Sequence, residues 1–181
     1  MACRLQRREF GGALYWFDPQ GKRSYEISGH QVVDFFSIFG RIYAIEGLGH
    51  MGMSEGSVIR ITKPKRGDRW DAALVTKLPL APYAVSIRRD GTMLIVLSES
   101  LVSVDSRGKV RTLLGDAPWD GFYPSSSALS HDEQRLYIGM RQFVGEFDLA
   151  SNKFRFLIPS RAFLNKLPKD EEARIRKAHS D

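Results

Sequence analysis

Four short apolar bursts end at evenly spaced landmarks, and that spacing limits what this chain can fold into more than any other feature. The bursts close on YWFD at Asp18, IRIT at Thr62, VSVD at Asp105 and GEFD at Asp148. Asp18 to Thr62 is 44 residues, and the next two intervals are 43 each. After each Asp landmark come a turn and another short run: DPQGKRSYEIS, DSRGKVRTLLG and DLASNKFRFLIP. Their Gly-Lys and Asn-Lys pairs tolerate the left-handed backbone that a tight hairpin needs. Two further runs lie upstream of each later landmark. They are VVDFFSI and RIYAIEG joined at Phe39-Gly40, AVSIRRDG and TMLIVLSES joined at Asp90-Gly91, and SSALS and RLYIGM joined through SHDEQ. Asp-Gly is the strongest hairpin signal among them.

Val, Ile, Tyr and Phe dominate these runs, and nothing before Ser160 carries a stripe at the helical spacing of about 3.6 residues. The repeating unit therefore reads as a meandering antiparallel sheet of four strands. Fully apolar runs are mixed with alternating ones, as in strands covered on both faces. One such sheet cannot bury its own faces, so sheets must stack around an axis. A period of roughly 40–50 residues is the span of one propeller blade. The expected fold class is all-β, made of propeller blades. RLQRREFGGALYWFDPQGKRSYEI lines up with RLYIGMRQFVGEFDLASNKFRFLI, so the chain opens at the second strand of a blade. The expected divisions are a partial blade over 3–29, full blades over 30–79, 80–117 and 121–159, and a tail over 160–181. The tail, SRAFLNKLPKDEEARIRKAHSD, reads as a short helix, with Pro168 near a first helical position, acids in the first turn and bases near the end.

The phrases APYAVSIRRDGTMLIVLSESLVSVDSRGKVRTLLGD and FYPSSSALSHDEQRLYIGMRQFVGEFDL resemble blades of the broad NHL-type, gluconolactonase-like and quinoprotein-like propeller superfamily. The nearest likeness is to bacterial propeller proteins of unassigned function. The resemblance covers about residues 3–159 and is one of blade rhythm. It implies the fold; none of the superfamily's catalytic motifs can be placed on this chain.

Nearly four blades leave the ring open to three readings. The chain is the C-terminal half of a propeller of about seven or eight blades, or it forms a homodimer that completes a ring, or it closes alone as a small ring. The first is favoured, because unpaired strand edges at both ends of a half-ring invite aggregation.

No apolar run is longer than that of Met93 to Leu97, far short of the ~20 residues of a membrane helix, so no membrane insertion is expected. The formal charge is +6, but the basic residues are scattered through turns and form no continuous face, so nucleic acid is not an expected partner. Cys3 is the only cysteine, which rules out an internal disulfide. MACRLQRREF lacks the apolar stretch of a secretory signal. Location is left open, with the chain as written reading as cytoplasmic, and as secreted or periplasmic if an N-terminal half precedes it.

Blade geometry predicts where a site would sit. Turns between strands two and three share one end of the barrel with the connections between blades. That brings SGHQ (28–31), the insertion GLGHMGMSEG (47–56), LPLAPY (78–83), LGDAPWDGFYP (114–124) and GMRQF (139–143) to one mouth. The candidate ligand-binding residues are His30, His50, Tyr83, Trp119, Asp120, Tyr123 and Arg141. His30 and His50 lack metal-ligand spacing, and neither a metal nor a cofactor is expected. Trp119 and Tyr123 suit either stacking on a ligand or plugging the gap between blades. Met51 and Met53 suit adaptable packing at the mouth. The RGD at 66–68 is explained by turn composition. No Ser-His-Asp set and no glycosidase-like acid pair can be assembled. Catalytic residues are therefore unassigned. The sequence reads as a non-catalytic binding or scaffold propeller taking a small molecule or protein segment. The alternative is part of a lactonase-like or quinoprotein-like enzyme whose other blades lie elsewhere; a calcium lactonase would need several acids and an Asn converging on the channel.

Overall fold

The structure, a computed structural model, describes residues 2–8, 11–50, 52–64 and 69–160, with the side chains of 2–11 and of His50 excepted. The described residues are all-β, with fifteen strands in four antiparallel sheets. The first sheet holds β1 (Ala2–Arg8), β2 (Gly11–Phe17) and β3 (Ser24–Ser28) in chain order. The second holds β4 (Val32–Ile38), β5 (Arg41–His50), β6 (Met53–Thr62) and β7 (Asp71–Leu78). The third holds β8 (Pro82–Ile87), β9 (Met93–Leu97), β10 (Leu101–Val104) and β11 (Val110–Leu114). The fourth holds β12 (Ser126–Leu129), β13 (Arg135–Gly139), β14 (Val144–Asp148) and β15 (Lys153–Leu157). These are propeller blades. The helical tail expected from 160 onward and the RGD at 66–68 lie outside the described residues.

The sequence period is physical. Asp18, Thr62, Asp105 and Asp148 all stand at the end of corresponding strands, β2, β6, β10 and β14. The three aspartates do the same work there. Asp105 Oδ1 accepts from the backbone N–H of Arg107 and of Lys109, both at 2.9 Å. Asp148 Oδ1 accepts from Ala150 N at 3.1 Å and Ser151 N at 2.8 Å, and Asp18 Oδ1 from Lys22 N at 2.7 Å. Each carboxylate thus closes the hairpin that follows it. Gly21 (φ 70°), Gly108 (φ 81°) and Asn152 (φ 54°) supply the left-handed step in these hairpins. The pairing irregularities repeat too. β2–β3 shifts register at Leu14, β6–β7 at Val58 and β10–β11 at Leu101, four residues before each landmark.

Neighbouring sheets pack through three apolar cores. Leu14, Val32 and Ile59 fill the first boundary, Ile45, Val58, Ile95 and Val102 the second, and Leu94, Val96, Leu136, Ile138 and Phe147 the third. β4, β8 and β12, the first strands of their sheets, adjoin one another, which sets them innermost. The main contacts between sheets run in chain order, and the first and last sheets share none of them. Polar contacts between sheets also join residues about one period apart. Ser86 Oγ meets Ser127 Oγ at 2.8 Å, Arg88 meets Glu133 at 3.4 Å, and Trp70 N donates to the Tyr25 hydroxyl at 2.7 Å.

One segment differs from its expected form. GLGHMGMSEG is no looped insertion: it is the paired ends of β5 and β6, with Gly47 opposite Gly56 and Gly49 opposite Ser54. Its glycines serve close approach. A Cβ on Gly56 would run into Pro82 Cδ of the next sheet, so the ribbon lies against the start of β8 only because nothing projects there.

Candidate functional site

Turns from the second and third sheets and the connection between the third and fourth frame a cleft of about 320 Å³ at the mouth end. The tip of the β5–β6 hairpin gives Gly49, Met53 and Ser54, the β9–β10 turn gives Ser98 and Glu99, and the connection after β11 gives Trp119, Asp120 and Tyr123. Tyr83, on β8, completes the lining.

Backbone hydrogen bonds hold the frame. In the connection, Ala117 N donates to Glu99 O at 2.8 Å, Phe122 N to Trp119 O at 3.1 Å, and Arg141 N to Phe122 O at 2.9 Å. The hairpin is fixed by Ser54, whose hydroxyl accepts from Ala81 N at 3.0 Å and meets Ser98 Oγ at 3.2 Å. Trp119 is 1% exposed, and its indole N–H donates to Leu97 O at 3.0 Å. Its ring belongs to the core between the third and fourth sheets, edge-on to Phe154 at 5.5 Å. Of the two uses its sequence context allowed, the plug between blades is the one its burial shows. Tyr123 is its opposite: 64% exposed, with φ of 52°. A bulky side chain rarely adopts that backbone, which costs on the order of 1–2 kcal/mol.

The charges of the cleft converge on Tyr83. Burial first, and then electrostatic interaction with Tyr123, Asp120 and Glu99, hold its hydroxyl above the ordinary value of 10.0, so the phenol stays protonated and able to donate. That hydroxyl lies 3.3 Å from where a Cβ on Gly49 would be, so Gly49 is what leaves room for it.

The structure brings together four of the residues singled out from sequence: Tyr83, Trp119, Asp120 and Tyr123. His30 lies apart, in a second opening of about 500 Å³ between the first two sheets, with Glu46, Ser57 and Lys77. Its Nδ1 is 2.8 Å from Ser28 Oγ, and the Ser57 hydroxyl donates to Glu46. Arg141 is exposed on the β13–β14 turn and lines neither cleft, and the side chain of His50 lies outside the described residues. Glu99, Ser54 and Ser98 line the first cleft without having been singled out. Glu99 was within reach of the sequence, since its turn joins strands two and three just as GMRQF does. Among the described residues no group of three His, Cys, Asp or Glu side chains converges to hold a metal ion.

No protein-family model matches the sequence, and no curated protein matches it. Solved structures do. A streptogramin B lyase superposes with a TM-score of 0.56 at 18% identity, over 89% of this chain and 52% of that one. A catalytically inactive virginiamycin B lyase from Staphylococcus aureus, with quinupristin, gives 0.55 at 20% identity, over 90% and 60%. A protein from Lactobacillus plantarum gives 0.52 at 13% identity, over 87% and 53%. The chain spans about half the length of most of these structures. The likeness is one of fold, and together with the four stacked sheets it identifies the architecture as that of a β-propeller.

Proposed function

We propose that this chain is a binding propeller, without catalysis of its own, whose mouth cleft receives a small molecule or a protein segment. The observation that carries this reading is the cleft around Tyr83, which draws on three segments from two sheets and the connection between blades. Ligand sites favour such concavities, rimmed by loops on a rigid scaffold. The strained backbone at Tyr123 adds support. Holding an aromatic ring in solvent at a left-handed φ has a cost that packing does not repay, and such outliers gather at ligand sites.

The enzymatic alternative, part of a lactonase-like or quinoprotein-like protein, gains nothing from this arrangement. The cleft has two carboxylates, and Asn152 sits in the β14–β15 hairpin, away from the cleft lining. A crystallographic soak of the full chain with a panel of small fragments tests the binding reading. Occupancy centred on Tyr83, Glu99 and Tyr123 is expected. Fragments found throughout the surface but never in this cleft would overturn it.

A further inference from the structure

The mouth cleft has a charge opposite to that of the molecule. The chain carries 27 Lys and Arg against 21 Asp and Glu, a formal excess of +6. Among the described lining residues there is no Lys, Arg or His, while Glu99 and Asp120 are both present. Neither carboxylate has a cation or a side-chain hydrogen bond among the described residues. Two of the more enclosed acids elsewhere are held by cations: Glu133 takes Arg88 and Arg89, and Glu146 takes Arg135 and Arg155. Glu99 and Asp120 thus give the cleft uncompensated negative charge in a molecule that is positive overall.

The acids share the cleft with two phenol rings. Tyr83 and the exposed Tyr123 both line it, while Met53, 52% exposed, offers an adaptable apolar side. Aromatic faces carry negative charge density and attract cations, most strongly those with weakly hydrated, apolar surfaces such as substituted ammonium groups. Anions are repelled by the carboxylates. A bare calcium ion would need six to eight oxygen ligands, more than two carboxylates and neighbouring hydroxyls supply. A neutral ligand would use the rings and leave both acids without a role.

We propose that the cleft binds the ammonium head of an organic amine, with Tyr83 and Tyr123 against its apolar surface and Glu99 and Asp120 as counter-charges. This rests on the reading of the cleft as a binding site and adds the class of ligand to it. A small head suits the volume, about 320 Å³, which is at the lower end for ligand pockets.

The test is an NMR titration of the full chain with choline chloride and, separately, with 3,3-dimethylbutan-1-ol, its uncharged isostere, at constant ionic strength. Choline is expected to shift the amides of Ser98, Glu99, Gly121 and Tyr123 and the methyl of Met53. Its affinity should exceed the alcohol's by about fivefold or more. In the Glu99→Gln, Asp120→Asn double variant, choline should fall to the level of the alcohol. Both positions are exposed, and retained amide dispersion checks that the fold is intact. Equal affinity for alcohol and choline at these residues would overturn the ammonium assignment and leave the binding reading standing. If neither compound shifts these residues while the fragment soak does fill the cleft, the ammonium assignment fails alone; if the soak also leaves it empty, both fail.

Discussion

The third and fourth sheets share one four-stranded plan and bury their residues in opposite ways. β9, MLIVL, is buried at every position. Leu94 and Val96 enter the core toward the fourth sheet, and Met93, Ile95 and Leu97 the core toward the second. β14, VGEFD, sends Phe147 into the core and puts Val144, Glu146 and Asp148 on the other face. There Glu146 lies opposite Tyr137 and Arg155, 2.8 Å from the Arg155 guanidinium and 3.9 Å from that of Arg135. A carboxylate so enclosed is costly unless paired, and two guanidiniums pair it. The register shift that marks β2, β6 and β10 is absent from β14. The matching residue there is Val144, paired in regular register with Leu157, and a Cβ on the adjoining Gly145 would strike the Phe154 ring. A strand between two sheets is apolar throughout, whereas a strand with one covered face alternates. The two runs differ because their neighbours differ.

The largest effects should come from the shared core. Phe147→Ala should lose about 3–5 kcal/mol and Leu94→Ala about 2–5 kcal/mol, measured by denaturant unfolding. A loss below ~1 kcal/mol at either would break the picture of one core joining both sheets. The charged face comes next, and its effect should be lopsided. Arg155→Ala leaves a nearly enclosed carboxylate short of its nearer partner and should cost about 1–3 kcal/mol. Glu146→Gln leaves two arginines that are 51% and 67% exposed and still reach water, so it should cost less. Equal losses would mean that Glu146 is better solvated than its burial suggests.

The hairpins sharpen the comparison further. Gly108→Ala in the third sheet should cost about 1–2 kcal/mol for its left-handed backbone, with a Cβ 3.2 Å from Val75 O added. Asn152→Gly, in the corresponding hairpin of the fourth, should stay within ~0.5 kcal/mol, since glycine accepts that backbone freely. The smallest expected effect is one of pH. Backbone N–H donors, Lys109 first for Asp105 and Ser151 first for Asp148, hold both carboxylates below the ordinary 3.8. Their contribution is full above 3.8 and is lost as pH falls through the lower folded values. Unfolding midpoints followed downward from pH ~5 should therefore drop less steeply in Asp105→Asn than in the parent chain. Parallel curves would show that the carboxylate is not what closes that hairpin.

Much of this was legible in the sequence because it is local. The landmark aspartates, the Gly-Lys and Asn-Lys turns and the Asp90-Gly91 hairpin each act within a few residues, so their spacing could be read directly. Likewise MLIVL announces a strand covered on both faces. The candidate site was legible only in part. Blade geometry assigned Tyr83, Asp120, Tyr123, His30 and Arg141 alike to one mouth and could not tell which of them line the same cleft. It could not tell that the glycines of GLGHMGMSEG extend a paired ribbon against Pro82 and bring Met53 and Ser54 over Tyr83.

Sequence alone determined the repeating unit, its turns and the all-β class, since backbone preferences and the alternation of side chains act over a few positions. Tertiary structure decided which sheet faces meet and which mouth segments share a cleft. Glu99, Tyr83 and Tyr123 share a cleft only once stacked sheets have fixed where their loops project, and that depends on the packing of Leu94 against Leu136 and Phe147, which belong to a different sheet.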